Sequence, residues 1–290
     1  MMKRFTLFAL LLSVLFGSTT FAAEKFSTRT YPLSDFANLD VSSAVKVFYT
    51  QGDTFQVKLT GRTDWLDLME VTADGGTLKL KAKNTKKFNN VKKKDQPDGE
   101  HNFILYLTAP NLKDIVLCGV SDFEGVRLTP ENLSLRLEGV SKFKVDSIEC
   151  HSLQLHLAGV SKVDAASLTC QELAADISGS CKVNLSQFTQ GEQATFAVSG
   201  ASRLTLSAEV AGKMQVSLTG ASKGELTFKG GSLHTTCTGA SKLIADVNCA
   251  AVSASCDGAS KITFNGTADK VEIDHSGVSG NINTSRLNQF

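Results

Sequence analysis

The sequence LSLRLEGVSK at residues 133–142 returns almost unchanged as LQLHLAGVSK at residues 153–162. Before each glycine, leucine alternates with other residues, and a period of two is the pattern of a half-buried β-strand. A corner phrase, most often Gly-Val-Ser-Lys or Gly-Ala-Ser-Lys, recurs nine times in steps of 19 to 21 residues. The phrase begins at Gly119, Gly139, Gly159, Gly179, Gly200, Gly220, Gly239, Gly258 and Gly277.

A unit of about 20 residues that contains only short strands cannot close a core alone. Stacking such units at the strand spacing of about 4.8 Å buries every inward side chain against its copies above and below. The repeats therefore predict an all-β fold, a single-stranded parallel β-helix (solenoid) with about 20 residues per coil. The usual handedness of parallel crossovers favours a right-handed path. Leucine-rich repeats fit less well because their asparagine or cysteine ladder is absent, and left-handed hexapeptide helices need a six-residue subperiod.

Residues 1–22 have the pattern of a secretory signal peptide. Lys3 and Arg4 precede an apolar run over residues 5–16, and small residues lead up to Ala22. We therefore expect an exported protein, in the periplasm or at the cell surface. No cysteine follows the apolar run and no later stretch reaches about 18 apolar residues, so neither a lipid anchor nor a transmembrane segment is expected.

Residues 23–100 are predicted to form an N-terminal β-rich segment, and residues 101–290 the β-helix repeat domain. Turns at residues 51–53 and 74–76 separate alternating strands, which is typical of hairpins. Such a segment could dock on or cap the solenoid, whose open end would otherwise expose unpaired strand edges. A basic loop follows these strands, and we interpret it as a solvated loop rather than an anion site. Its lysines are Lys86, Lys87, Lys92, Lys93 and Lys94.

Several stretches resemble the head GIN domain family: the hairpin-rich start, YLTAPNLK at residues 106–113, the ladder of glycine corners, and the closing Gly280-Asn281-Ile282-Asn283. The resemblance spans about residues 36–283. It implies secreted or envelope proteins of Gram-negative bacteria, described as auto-transporter adhesins, with a parallel β-helix fold. Family corners often read Gly-Ser-Gly, unlike those here. An auto-transporter also carries a translocator barrel, whereas this sequence ends at Phe290 directly after the last repeat, so we do not expect self-export.

The fourth position of the corner phrase carries a cation in seven repeats, with Asp122 and Gly280 at the two ends of the series. In-register stacking would form one line of charges about 4.8 Å apart, well inside the Debye length of about 8 Å. One hypothesis is a binding track for an extended polyanion, such as an acidic polysaccharide. The alternative is that the aliphatic parts of these side chains spread into the solvent, cover the apolar corner and disfavour association with other strands. The seven residues are Lys142, Lys162, Lys182, Arg203, Lys223, Lys242 and Lys261.

The serines of the corner phrase are interpreted as structural, because nucleophilic catalysis needs one activated hydroxyl rather than the same pair on every coil. These serines include Ser141, Ser161, Ser222, Ser241 and Ser260. Two cysteine pairs, Cys150 with Cys170 and Cys237 with Cys256, fall at equivalent repeat positions. We expect buried thiols rather than disulfides, because stacked Cβ atoms lie wider apart than the preferred distance of about 3.8 Å.

No metal site or cofactor site is predicted, because zinc needs three or four converging ligands and the histidines are scattered. One contact is noted, between His275 and Cys256 on the preceding coil. Enzymes on β-helices use long loops to wall a cleft, and these coils have almost no insertions, so we expect no catalysis. The five histidines are His101, His151, His156, His234 and His275.

Together these observations predict an exported, non-catalytic β-solenoid that acts as an adhesin or binds envelope glycan. The expected partner is an acidic polysaccharide or envelope glycan. The net charge of +1 gives no reason to expect nucleic acid. Two alternatives stay open: a structural or assembly spacer in the periplasm, and a carbohydrate-active enzyme on a β-helix.

Overall fold

The computed structural model describes residues 25–83, 85–88, 91–274 and 280–289. Within this part, nineteen strands hydrogen-bond into one sheet. The sheet winds into a β-solenoid of about eight turns with about 20 residues per coil, which confirms the predicted solenoid. The signal segment at residues 1–22, the ninth corner glycine Gly277 and the contact predicted for His275 lie outside the described residues.

The N-terminal strands continue the sheet of the solenoid. They are β1 (Phe26–Tyr31), β2 (Asn38–Ser42), β3 (Val45–Gln51), β4 (Gln56–Arg62), β5 (Met69–Asp74), β6 (Thr77–Ala82) and β7 (Phe103–Ala109). The first strands of the repeat region are β8 (Asp114–Cys118) and β9 (Asp122–Leu128). β2 and β3 pair in parallel with β8 and β9, so they form a coil of the solenoid.

On their other side, β2 and β3 pair in parallel with β6 and β7. Antiparallel strands then cover this end of the solenoid: β5 pairs with β6, whereas β4 pairs with both β7 and β1. Strands from both sides of residue 100 therefore share one sheet, and the antiparallel strands occupy the edge that a bare solenoid would expose. In the basic loop between β6 and β7, Phe88 packs against Trp65 and Phe103 with ring centroids 5.5 and 5.6 Å apart.

The remaining coils stack in register. The strands of the early coils are β10 (Asn132–Leu137), β11 (Lys142–Glu149) and β12 (Ser152–Leu157). Later coils each contribute one long strand: β13 (Lys162–Ile177), β14 (Lys182–Val198), β15 (Arg203–Leu218), β16 (Lys223–Cys237), β17 (Lys242–Cys256), β18 (Lys261–Asp274) and β19 (Asn281–Gln289). Parallel pairing places equivalent residues in columns, and one inward column contains Leu137, Leu157, Ile177, Val198, Leu218, Cys237 and Cys256.

Apolar side chains from every coil fill a continuous core. In β13 the alternation of buried and exposed residues is interrupted at residues 166–167 and 171–172, so the coil consists of three short runs separated by bends. Fully buried phenylalanines stack between coils, as Phe123 does on Phe143 with centroids 4.9 Å apart. Burial of one such side chain contributes about 1.5–3 kcal/mol.

The corner glycines allow the coils to approach closely. The eight from Gly119 to Gly258 have φ between +68° and +88°, a left-handed conformation that L side chains rarely adopt. At Gly159 an added Cβ would lie 2.5 Å from the carbonyl oxygen of Gly139. That oxygen accepts a hydrogen bond of 2.7 Å from the N–H of Val160. The glycine therefore recurs because both the backbone conformation and the hydrogen bond between coils exclude a side chain.

Candidate ligand-binding surface

The seven predicted cations form one outward column at the corner of the solenoid. Each is paired with its neighbour in the parallel ladder, from Lys142 with Lys162 to Lys242 with Lys261. All seven are exposed. We call this set the cation column: Lys142, Lys162, Lys182, Arg203, Lys223, Lys242 and Lys261. The structure thus brings together every residue of the predicted track, while its role in binding stays a prediction.

Carboxylates form ion pairs with the first two cations of the column, at its N-terminal end. Lys142 Nζ lies 3.1 Å from Asp122 Oδ2, and Lys162 Nζ lies 2.5 Å from Asp164 Oδ2. Within the described ranges, the other five cations have no carboxylate within 4.0 Å. The positive potential is therefore concentrated from Lys182 onwards.

The C-terminal end of the cation column differs from the end predicted from the sequence. Lys261 pairs with Asn281 and not with Gly280, so that prediction is wrong by one residue. The pairing of Lys242 with Lys261 spans 19 residues, whereas that of Lys261 with Asn281 spans 20, so the last coil is one residue longer.

A buried charged network adjoins the column at Asp122. Nδ1 of His101 lies 2.8 Å from Asp98 Oδ2, and its Nε2 lies 3.5 Å from Asp122 Oδ2. The His101 side chain is only 3% exposed. Burial lowers the pKa of His101, but the hydrogen bonds to Asp122 and Asp98 outweigh it, so that the pKa lies above its ordinary value. Burial likewise raises the pKa of Asp122, but His101 and Lys142 lower it on balance.

Among the described residues, one group of side chains at this network could hold a metal ion. Glu100, His101 and Asp122 each offer a ligand atom, and these atoms lie within 4.8 Å of one another. Both ring nitrogens of His101 already face aspartates, so an ion would have to displace one of these contacts. Sequence analysis did not predict that these three side chains converge. The one hint in the sequence was Asp122, an acid at the corner position where later repeats carry a cation.

An aromatic patch lies on the same outward face as the cation column, near the N-terminal end. Phe48 of β3 and Tyr106 of β7 stack with ring centroids 5.6 Å apart, and Tyr106 is 45% exposed. Lys46 Nζ lies 4.9 Å from the Phe48 centroid and 2.9 Å from Glu124 Oε1. Burial lowers the pKa of Lys46, but the hydrogen bond to Glu124 outweighs it and raises the pKa on balance.

A depression with a volume of about 330 Å³ opens beside this patch. We call it the aromatic depression, and it is lined by Phe48, Tyr49, Thr50, Glu124, Gly125, Val126, Lys144 and Asp146. Sequence analysis did not single out these residues, because Phe48 and Glu124 become neighbours only through the pairing of β3 with β9.

The corner serines are buried, and their hydroxyls donate to backbone carbonyls. Ser141 donates to the carbonyl oxygen of Glu138 at 2.9 Å, and Ser161 donates to that of Ala158 at 2.8 Å. At one corner Cys181 takes the place of the serine, and its thiol donates to the Ser178 carbonyl at 3.0 Å. The predicted hydrogen bonds from these hydroxyls to the backbone are thus present.

All seven cysteines are free thiols. Cys237 pairs with Cys256 as predicted, both are buried, and burial raises the pKa of Cys237 to about 12. The Cys237 thiol therefore stays protonated and unreactive near neutral pH. Cys170 is buried, but Cys150 is only partly buried, so the prediction of buried thiols is wrong for Cys150, which lies between β11 and β12.

The comparisons with known proteins agree with this architecture. The family model described as "Putative auto-transporter adhesin, head GIN domain" matches residues 35–223 and 216–289. None of the curated proteins matches the chain. In the described part, no helix has the length and apolarity that crossing a membrane requires.

Two solved structures share the fold. A putative adhesin from Parabacteroides merdae aligns with a TM-score of 0.64 at 16% identity, covering 86% of this chain and 97% of the other. A putative adhesin from Parabacteroides distasonis aligns with a TM-score of 0.67 at 14% identity, with the same coverage of 86% and 97%. At these identities the likeness concerns the fold alone, whereas the family model spans most of the sequence. The chain therefore belongs to the head GIN domain family.

Proposed function

We propose that the protein is an exported, non-catalytic adhesin whose cation column binds an acidic polysaccharide of a cell envelope. The observation that carries the proposal is the column itself, seven exposed cations in one ladder with few acidic partners. Membership of an adhesin family supports adhesion as the general role. The periplasm or the cell surface is the proposed location, supported by the apolar N-terminal segment.

The electrostatics of the column favour a linear polyanion. Adjacent unit charges at a strand spacing of about 4.8 Å repel by about 0.9 kcal/mol even at the dielectric constant of water. A bound polyanion would replace this repulsion with attraction, and Arg203 could hold a carboxylate or phosphate through two parallel hydrogen bonds. Because the column is solvent-exposed, its attraction for a ligand should fall as salt screens it.

The absence of catalysis is part of the proposal and is supported by the corners. The hydroxyl of Ser161 is committed to a backbone carbonyl, and that of Ser222 donates to the carbonyl of Thr219 at 2.8 Å. A serine nucleophile needs instead a hydroxyl that contacts a general base. Release of new reducing ends from acidic polysaccharides would contradict this part and favour the carbohydrate-active enzyme.

Binding of the mature protein to immobilised polygalacturonate, with uncharged dextran as the reference matrix, tests the proposal. We expect retention on polygalacturonate that weakens as salt rises, and a loss of at least about tenfold in affinity in the variant Lys182→Glu/Lys223→Glu. The matched control is Lys213→Glu/Lys229→Glu, because it changes the net charge equally at exposed lysines outside the column.

Three results would contradict the proposal. An equal loss of affinity in the control would show that total charge decides binding. Unchanged affinity in the column variant would remove the column as the binding surface. No retention by the wild type at low salt would leave the structural spacer as the better hypothesis. Protease shaving of intact cells, followed by immunoblotting, separates a surface location from a periplasmic one.

A further inference from the structure

A second outward column, made of the residues that pair with Phe48 along the solenoid, is mostly polar. Two of its members, Tyr106 and Phe48, are aromatic. Tyr106 pairs with Phe48, and Phe48 pairs with Glu124. The column continues as Lys144, Asp164, Asn184, Thr205, Glu225, Ile244 and Thr263. From Glu124 to Thr263, seven of the eight residues in this column are polar. The strands therefore do not need aromatic side chains at this position.

The aromatic residues are part of a larger apolar surface. Val126, at 69% exposed, projects beside the same depression as Phe48. Single exposed apolar residues are ordinary, but Phe48 and Val126 line the same concave site, and Tyr106 stacks on the other side of Phe48. The cavity of about 330 Å³ lies at the lower end of the volumes found for small-ligand sites.

The polar groups of the depression complement a sugar. Glu124 is held by the ion pair with Lys46, whose ammonium group also lies over the Phe48 ring. Glu124 and Asp146 carry carboxylate oxygens that can accept hydrogen bonds from hydroxyls, whereas the Lys144 ammonium group can donate them. The site therefore combines apolar walls with both acceptors and a donor.

We propose that the aromatic depression binds one pyranose ring of an acidic polysaccharide. A pyranose has a face of C–H groups, which can lie against the exposed part of Phe48 and against Val126, and a rim of hydroxyls that can donate to Glu124 and Asp146. A peptide segment fits less well, because β9 is paired on both sides and offers no free strand edge to which a peptide backbone could hydrogen-bond.

The depression is continuous with the cation column. Lys144 lies two residues along β11 from Lys142, and both are exposed. One polysaccharide could therefore place a ring in the depression while its further charged units follow the column. The proposal thus rests on the proposed function and adds a sugar-selective end to a surface that otherwise recognises charge.

Calorimetry and saturation-transfer NMR with a short oligogalacturonate test the site. The variant Phe48→Thr places in the wall of the depression a residue type that the same column carries at Thr205, so folding should be preserved. We expect about a tenfold loss of affinity, the size typical of removing one aromatic contact. The matched control is Ile244→Thr, which removes an outward apolar residue of the same column far from the depression, and its affinity should equal that of the wild type.

A second variant keeps the test decisive if Phe48→Thr reduces stability. Val126→Thr keeps the shape of an exposed side chain of the depression, replaces a methyl group by a hydroxyl without changing the charge, and should also weaken binding several-fold. Unaltered affinity in both variants, with the column variant Lys182→Glu/Lys223→Glu still defective, would refute the depression and leave the proposed function intact. The opposite result would keep the depression and refute the cation column. Stronger binding of an acidic peptide than of the oligogalacturonate, lost in Phe48→Thr, would overturn the assignment to sugar.

Discussion

Replacement of one corner glycine by alanine tests whether the coils stack as closely as the structure shows. In Gly159→Ala the new Cβ would lie 2.5 Å from the Gly139 carbonyl oxygen and 3.1 Å from its nitrogen. The same carbonyl accepts the hydrogen bond from Val160. The substitution therefore strains both the conformation of residue 159 and the contact between two coils.

The expected cost has two parts. A left-handed conformation costs a non-glycine residue about 1–2 kcal/mol. Overpacking that forces the backbone to shift adds about 1–3 kcal/mol. Gly119 separates the two parts, because its φ of +82° resembles the +76° of Gly159 whereas a Cβ there would meet its nearest atom, the Ser43 carbonyl oxygen, at 3.7 Å. We therefore expect a loss of about 1–2 kcal/mol in Gly119→Ala and about 2–5 kcal/mol in Gly159→Ala.

Urea denaturation followed by circular dichroism measures the two costs on the same protein. Solenoids can unfold in segments, so the comparison should use transition midpoints and slopes together. Gly159→Ala should have the lower midpoint. Equal midpoints in the two variants would show that backbone conformation alone requires glycine at the corners, and the argument from close stacking would then fail.

Three further changes should have measurable effects on stability. Phe143→Ala removes a core ring that stacks on Phe123, so unfolding free energy should fall by about 3–5 kcal/mol; a loss below about 1 kcal/mol would contradict the stacked core. Ser161→Ala should cost about 1 kcal/mol through the lost hydrogen bond to Ala158, whereas Ser161→Cys, which copies a natural corner, should cost less; both are measured by urea midpoints. The pKa of His101 is higher in the folded protein than its unfolded value of about 6.5. The contribution of the charged imidazole to folding stability is therefore fully present below about pH 6.5 and is lost as pH rises through the folded pKa. Denaturation of wild type and His101→Gln at about pH 5.5 and about pH 8.5 should therefore show the larger difference at the lower pH, and the reverse order would refute the charged network.

The repeat region could be predicted closely from its local pattern. The alternation before Gly139 and Gly159 identifies strands, and the nearly constant step between corner glycines implies that equivalent residues stack. The alignment of Lys142 with Lys162 follows from the same arithmetic, as the ladder confirms. Where the separation between equivalent residues changes, as before Asn281, the position predicted from constant spacing is wrong by one residue.

The N-terminal coils form through strand pairings between segments that are not separated by the repeat length, so the repeat pattern does not predict them. Asn38 pairs with Thr77 and with Asp114, which lie 39 and 76 residues away, so constant spacing could not reveal β2 as a coil. The stack of Phe48 on Tyr106 arises from such a pairing.

The sequence by itself thus determined the solenoid, its glycine corners and the cation column, because each repeat meets an equivalent neighbour at a nearly constant separation. Only the tertiary structure decided the buried network around His101 and the aromatic depression beside Phe48. Their members come from segments of unequal length, and the non-local pairing of strands brings them together.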